Sequence, residues 1–166
     1  MDLFQVLSNR RSIRKYEGKN VEKEKLQKVL EAARLAPSAM NRQPYTLFVI
    51  TNREVLAEID AACNQDWKAP LMIVMVSKPK EAWARDDGEQ YWKADAAIAL
   101  HHVSLAAFSE GLGTCWIAAF NENKVKEILN LDSDFRVPFL SPLGYPAEKK
   151  GSVKNRKALE ALTRYI

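Results

Sequence analysis

The 166-residue chain predicts a central sheet with flanking helices, a mixed α/β plan. Two observations point there. Segments with apolar residues at helical spacing alternate along the chain with short runs rich in β-branched and aromatic residues. The composition, 47% hydrophobic and 28% charged, can both fill and solvate a core. No repeat, low-complexity tract or linker divides residues 1–166, which are expected to form one domain.

The elements follow in order. Asp2 can cap a short helix with Leu3, Val6 and Leu7 on its apolar side. Residues 21–36 place Leu26, Val29, Leu30 and Ala33 on one helical face, opposite Glu24, Lys28 and Glu31, and Pro37 stops the helix. "YTLFVI" (45–50) is a buried strand. Thr51 and Glu54 have capping-box spacing and open a third helix through Val55, Leu56 and Ile59. "PLMIVMVS" (70–77) is a second strand, followed by a polar stretch containing "DDG" and a long, Ala-rich helix over about 90–110. "TCWIAAF" (114–120) is a third strand, and Asn121 caps a helix through Val125 and Leu129. "FRVPFLSPLGYP" (135–146) is a fourth strand ending in a turn, and the tail is basic, then amphipathic.

Several function classes fall away. The longest apolar run, "APLMIVMV", is eight residues, against about 20 for a membrane-spanning helix. The N-terminus has its arginines after its apolar residues, the wrong polarity for a secretory signal, so a cytoplasmic location is expected. Cys63 and Cys115 belong to no CxxC pattern, and with only His101 and His102 besides, no metal site is legible. Gly111 and Gly113 form a GxG, but they follow a helix and open a strand, the reverse of a dinucleotide fingerprint, so Gly111 is expected as a left-handed helix cap. No P-loop or GxSxG sequence exists, and each histidine is expected to serve structure. Asp86 and Asp87 beside Gly88 fit a solvated turn. The net charge of +4 suits an anionic ligand, but the basic residues lack the interleaved aromatics of a nucleic-acid platform.

Two segments carry candidate chemistry. "SNRRSIRKY" (8–16) gathers Arg10, Arg11, Arg14 and Lys15 beside the hydroxyl of Ser12. Guanidiniums bind phosphate bidentately, and a hydroxyl with backbone N–H groups completes a dianion pocket; the alternative is a solvated basic face. "APSAMNRQPY" (36–45) concentrates Ser38, Asn41 and Gln43 between two prolines. Such a stiffened polar loop suits a ring that presents alternating N–H and C=O groups, or it is simply a helix-to-strand connection.

Four segments together resemble the nitroreductase family of FMN-dependent oxidoreductases: "RRSIRKY", "APSAMNRQPYTLFVI", "GLGTCWIAAFN" and the ending "NRKALEALTRY". The resemblance implies an α+β, nitroreductase-like fold, a mixed and mainly antiparallel sheet wrapped by helices. It also implies an intertwined homodimer with two flavin sites at the interface. Carried over by position, Arg10, Arg11 and Ser12 would meet the FMN phosphate, with Arg14 near the ribityl chain or pyrimidine edge. Pro37, Ser38, Ala39 and Asn41 would come from the partner chain, with Gln43 near the ring or ribityl. Ile117, Ala118 and Ala119 would line the ring near N5, an N–H of Ala118 or Ala119 donating to that atom, and Lys154 and Arg156 would return to the phosphate.

The resemblance further implies NADH or NADPH as electron donor and a ping-pong cycle. The partner in the second half would be a small flat acceptor such as a nitroaromatic or quinone. No catalytic side chain is expected, since flavin N5 carries the chemistry. Larger relatives have a lysine after the third helix that helps hold the flavin, a cofactor-binding position that "NQDW" here gives to Gln65, and they build a larger excursion where this chain has only residues 78–90. The short excursion keeps a second class in view: a flavin-binding carrier or sensor with little turnover.

Overall fold

β2 (Leu71–Ser77) forms the centre of the molecule, because its side chains are apolar on both faces. Met72, Val74 and Val76 point into one core and Leu71, Ile73 and Met75 into the other, the two-residue alternation of a strand covered on both sides. The computed structural model describes residues 2–151 and 153–166. Among them the remaining elements are α1 (Leu3–Asn9), α2 (Lys23–Arg34), β1 (Tyr45–Ile50), α3 (Arg53–Ala62), α4 (Trp92–Ser109), β3 (Gly113–Thr114), α5 (Glu122–Ile128) and β4 (Arg136–Gly144). The strands lie in the order β1-β2-β4-β3, and each named pair is antiparallel. A parallel bridge between Ser12 and Thr114 makes the sheet mixed.

Leu56, Ile59 and Ala62 of α3 and Val125 of α5 cover one face of the sheet. Val29 and Ala33 of α2 and Ala96, Ala99, Leu100, Val103 and Ala107 of α4 cover the other. Small residues on α4 let α2 pack closely against it, which places α4 in the core with apolar residues around most of its circumference. No helix of the described residues is long and apolar enough to cross a membrane.

The ends of the elements follow their sequence signals, with three corrections. Asp2 caps α1 in a reciprocal capping box with Gln5 (2.8 and 3.1 Å). α4 ends in a Schellman arrangement: Gly111 has φ +77°, its N–H donates to Phe108 O, and the Leu112 N–H donates to Ala107 O. The cap of α3, however, is Asn52 and not Thr51: Asn52 Oδ1 accepts from Glu54 N at 2.9 Å and Val55 N at 3.1 Å. An asparagine directly ahead of the first turn reaches both orphan donors, which the more distant threonine does not.

The second correction is the expected strand over 114–120, which is regular only at Gly113–Thr114. Its register on β4 pairs Gly113 with Gly144 and Thr114 with Leu143, and an isolated bridge pairs Ile117 with Leu140. The intervening break falls opposite Pro142, which has no N–H to give to Cys115. Third, the tail contains one turn of 3₁₀-helix, Leu159–Ala161, and leaves Leu159, Leu162 and Tyr165 exposed instead of packing an amphipathic face on this chain.

Candidate functional site

The segment after α1 is held in a fixed course by main-chain bonds. Ile13 N donates to Thr114 O (2.9 Å), Glu17 N to Tyr145 O (2.9 Å) and Ala147 N to Lys15 O (2.9 Å). Arg14 N donates to Glu148 Oε1 at 2.6 Å, and Glu148 is paired in turn with Lys150 at 2.7 Å. The Lys150 ammonium, with the Arg14 N–H, holds the Glu148 carboxyl below the usual carboxylate range. Ile13 lies so close to β3 that a Cβ on Gly113 would stand 2.7 Å from Ile13 Cβ. Glycine at position 113 is therefore what lets the cationic turn dock beside the sheet.

This docking forms a pocket of two adjoining cavities, of about 470 and 440 Å³, that share Arg10, Arg11, Val153 and Arg156. Leu7, Ser8, His101 and Leu105 complete the first, and Ser12, Arg14, Lys150 and Gly151 the second. Among the described residues, five cations and no carboxylate line the pocket. Arg11 is braced on three carbonyl oxygens, those of Ser8 (2.7 Å), Arg10 (2.7 Å) and Gly151 (2.8 Å), and so ties the N-terminal turn to the chain before the tail. Among the described residues Arg10, Arg14 and Arg156 form no ion pair. Burial, with Arg11 and Arg156 beside it, holds the Arg10 guanidinium below its ordinary range. Lys150 already has Glu148 as its counter-charge, whereas arginines gathered against one another without a carboxylate among the lining residues form a candidate anion site. Cys115 lies next to the same turn, where burial pushes its thiol up while Arg14, the Ser12 hydroxyl and Arg10 pull it down.

The proline-bounded loop is tightly self-bonded. Gln43 N donates to Ser38 Oγ (3.0 Å), and Gln43 Nε2 donates to Asn41 O (2.9 Å) and Asn41 Oδ1 (3.1 Å). Met40, Asn41 and Gln43 have φ of 52°, 54° and 48°, a left-handed backbone that costs energy for residues with a Cβ. The loop is anchored by Asp95, 2% exposed in the first turn of α4, whose Oδ1 accepts from Ala39 N at 2.9 Å. Asp95 Oδ2 and the Tyr45 hydroxyl are both buried without a hydrogen-bond partner among the described residues, and burial together with the Asp95 charge raises the Tyr45 phenol.

Not every candidate residue reaches the cationic pocket. Pro37, Ser38, Ala39, Asn41 and Gln43 line neither of its cavities. Gln65 lies on a separate cavity of about 800 Å³ between Gly18 and the end of α3. Lys154 is exposed and is not among the lining residues, whereas Arg156 is. Ile117 is buried and pairs its N–H with Leu140 O, while Ala118 and Ala119 are exposed, and among the described residues no backbone carbonyl accepts from either. Residues 78–90 form a 3₁₀ turn and a tight hairpin closed by Ala84 and Gln90, with Asp87 paired to Arg85 and Asp86 exposed.

Lys150, His101 and Asp95 escaped the sequence reading. Lys150 stands in "EKKG", close enough to the basic tail to be noticed. Asp95 interrupts an Ala-rich helix, a visible anomaly. Nothing in the sequence marks His101, because its neighbours in the pocket come from the opposite ends of the chain.

The sequence model of the nitroreductase family matches residues 7–70 and 63–145. The chain belongs to the nitroreductase family. Among relatives, it is 35% identical over 161 residues to a candidate NADH dehydrogenase/NAD(P)H nitroreductase of Methanothermobacter thermautotrophicus, covering 92% of this chain and 81% of the relative. A nitroreductase family protein of Clostridium difficile 630 superposes with a TM-score of 0.93 at 33% identity, covering 99% of this chain and 98% of that one. An FMN-dependent nitroreductase of Clostridium difficile R20291 superposes at 0.85 with 29% identity, covering 98% of both chains. The nitroreductase sheet with its two helical layers is thus reproduced almost end to end. The family match itself stops at residue 145, so the return of Arg156 to the cationic turn is a feature that the folded chain adds.

Proposed function

We propose that this nitroreductase-family chain is an NAD(P)H-dependent FMN oxidoreductase that passes two electrons, in ping-pong fashion, to a flat acceptor such as a nitroaromatic or quinone. The observation that carries the reading is the convergence of Arg10, Arg14 and Arg156 on one pocket without a carboxylate. The donor set fits a phosphate monoester: guanidiniums and the Ser12 hydroxyl can saturate its oxygens, and a dianion offsets the burial and mutual repulsion that lower Arg10. Bound FMN supplies hydride transfer at its ring, chemistry that no side chain here can provide.

The protein's part is binding, orientation and electrostatics. Arg10, Arg11, Ser12 and Arg156 hold the phosphate, with Lys154 assisting from solvent. By the resemblance, Arg14 would stabilise negative charge that develops on the ring, and Gln65, which lies on a separate cavity of this chain, would stand uncharged where larger relatives have a lysine. The exposed N–H groups of Ala118 and Ala119 are free to donate toward N5, beside Ile117. Pro37, Ser38, Ala39, Asn41 and Gln43 lie outside the pocket of their own chain, and this fits a homodimer in which each loop serves the partner's flavin. A second copy would also cover the exposed Leu3, Phe4 and Leu7 of α1, Ile98 of α4 and the apolar tail residues.

The test compares FMN with riboflavin, which has the same ring and no phosphate. Arg10→Ala and Arg156→Ala each remove charge-assisted bonds of about 1.5–3 kcal/mol, so FMN affinity should fall roughly 10- to 100-fold. Riboflavin affinity should stay within about threefold. Equal losses for both ligands would reject the phosphate assignment. Flavin-loaded protein should oxidise NADH or NADPH with an added quinone, and absence of turnover would leave the carrier reading in its place.

A further inference from the structure

His101 belongs to the anion pocket, although its element packs in the core. It lies one helical turn before Leu105 on α4, and the two line the first cavity together with Arg10, Arg11 and Arg156. Its ring meets Trp116 edge-on with centroids 6.4 Å apart, and Trp116 is itself fixed by a bond from Nε1 to Ser104 Oγ (3.1 Å) and by contact with Phe139. The imidazole is therefore backed by an aromatic wall and faces the guanidiniums.

Among the described residues, Arg10 and Arg11 face it from the chain after α1 and Arg156 from the tail; His102, next to it on α4, is turned to Ala32 O of α2 and acts only through its charge, and Leu7, Ser8, Leu105 and Trp116 are uncharged. Loss of solvent, with Arg10 and His102 nearby, holds the imidazole below its ordinary range. Before an anion enters, burial and the neighbouring cations thus favour the neutral imidazole. A dianion seated on Arg10 and Arg156 reverses the local field and favours the imidazolium.

We propose that His101 is a further ligand of the anion in this pocket, taking up a proton from solvent as a phosphate dianion binds. One proton moves to a ring nitrogen, no covalent bond to the ligand forms, and the new N–H⁺ donates to a phosphate oxygen. The proposal rests on the flavin reading for the identity of the ligand, but only on the pocket for the existence of the anion site.

The experiment titrates the full chain, freed of flavin, with FMN between about pH 5.5 and 8.5, for the parent and for His101→Gln. Phosphate ionisation contributes equally to both, so the difference isolates the imidazole. The parent's affinity should fall with rising pH by about tenfold more than the variant's, the change that one unit of pKa displacement produces. Calorimetry at neutral pH in two buffers of different ionisation enthalpy should find more proton uptake in the parent than in the variant. Parallel pH profiles with equal proton uptake would overturn the proposal while leaving the flavin reading intact. Inorganic phosphate is the second probe. If FMN fails to bind but phosphate binds with His101-dependent proton uptake, the flavin reading falls and the His101 assignment stands; if neither ligand binds, both fall.

Discussion

Replacing Gly113 by alanine should damage the cationic pocket without touching any of its side chains. An alanine Cβ at this position would lie 2.7 Å from both Ile13 Cβ and Ile13 Cγ1, and 3.0 Å from Ile13 Cγ2. Carbon pairs settle at about 3.5–4.0 Å, so roughly 1 Å must be recovered. Rotating the Ile13 side chain cannot recover it, because Cβ is fixed by the backbone, which is bonded through Ile13 N to Thr114 O. The whole segment must move, at about 1–3 kcal/mol for the overpacking and about 1 kcal/mol more if the main-chain bond is lost. For a chain of this size, each kcal/mol lowers Tm by about 2–4 °C, so the combined cost of about 1–4 kcal/mol predicts a drop of roughly 2–16 °C in a thermal melt. FMN affinity should fall in parallel, since Arg10, Ser12 and Arg14 flank the displaced residue. The double variant with Ile13→Ala should not recover, because its Cβ remains in place, whereas Ile13→Gly should restore the segment's position. A Gly113→Ala melt within about 1 °C of the parent, with unchanged FMN affinity, would refute the close-approach argument.

Two further outcomes follow from groups that position the site. Asp95→Ala leaves the Ala39 N–H without its acceptor and should lower stability by about 1–3 kcal/mol in urea unfolding, whereas Asp95→Asn keeps an acceptor and should recover most of it. Equal destabilisation by both would mean that the loop does not depend on this bond. Glu148 titrates below its ordinary value in the folded chain, so its contribution is complete above the unfolded pKa of about 4.3 and is lost as pH falls through the lower folded value. The Tm gap between the parent and Glu148→Gln should therefore be largest near neutrality and shrink toward about pH 3, and a gap independent of pH would contradict the clamp.

Local signals in the sequence were enough for most of the elements. The Asp2 cap, the Gly111 stop and the apolar run of β2 each depend on residues within a few positions, and each appears in the structure as its local chemistry dictates. Where an outcome depended on a partner strand, local reading failed. The run "TCWIAAF" has strand composition, but Pro142, far along the chain, removes the donor that Cys115 would need. Thr51 and Asn52 both have capping chemistry, and only the geometry of the first turn selects between them.

The same division runs through the site. By itself the sequence determined the family, the inventory of cations and the stiff polar loop, because residue type and order are properties of the chain. Only the tertiary structure decided which cations meet. Arg156 and Lys150 meet the N-terminal turn because Gly113 lets Ile13 dock against β3 and Arg11 clasps Gly151, while Lys154 remains outside. It also brought in His101 and the Asp95 anchor, whose roles come from charges and N–H groups remote in sequence. Electrostatic fields and close packing depend on distance in space, and that distance is set by the fold.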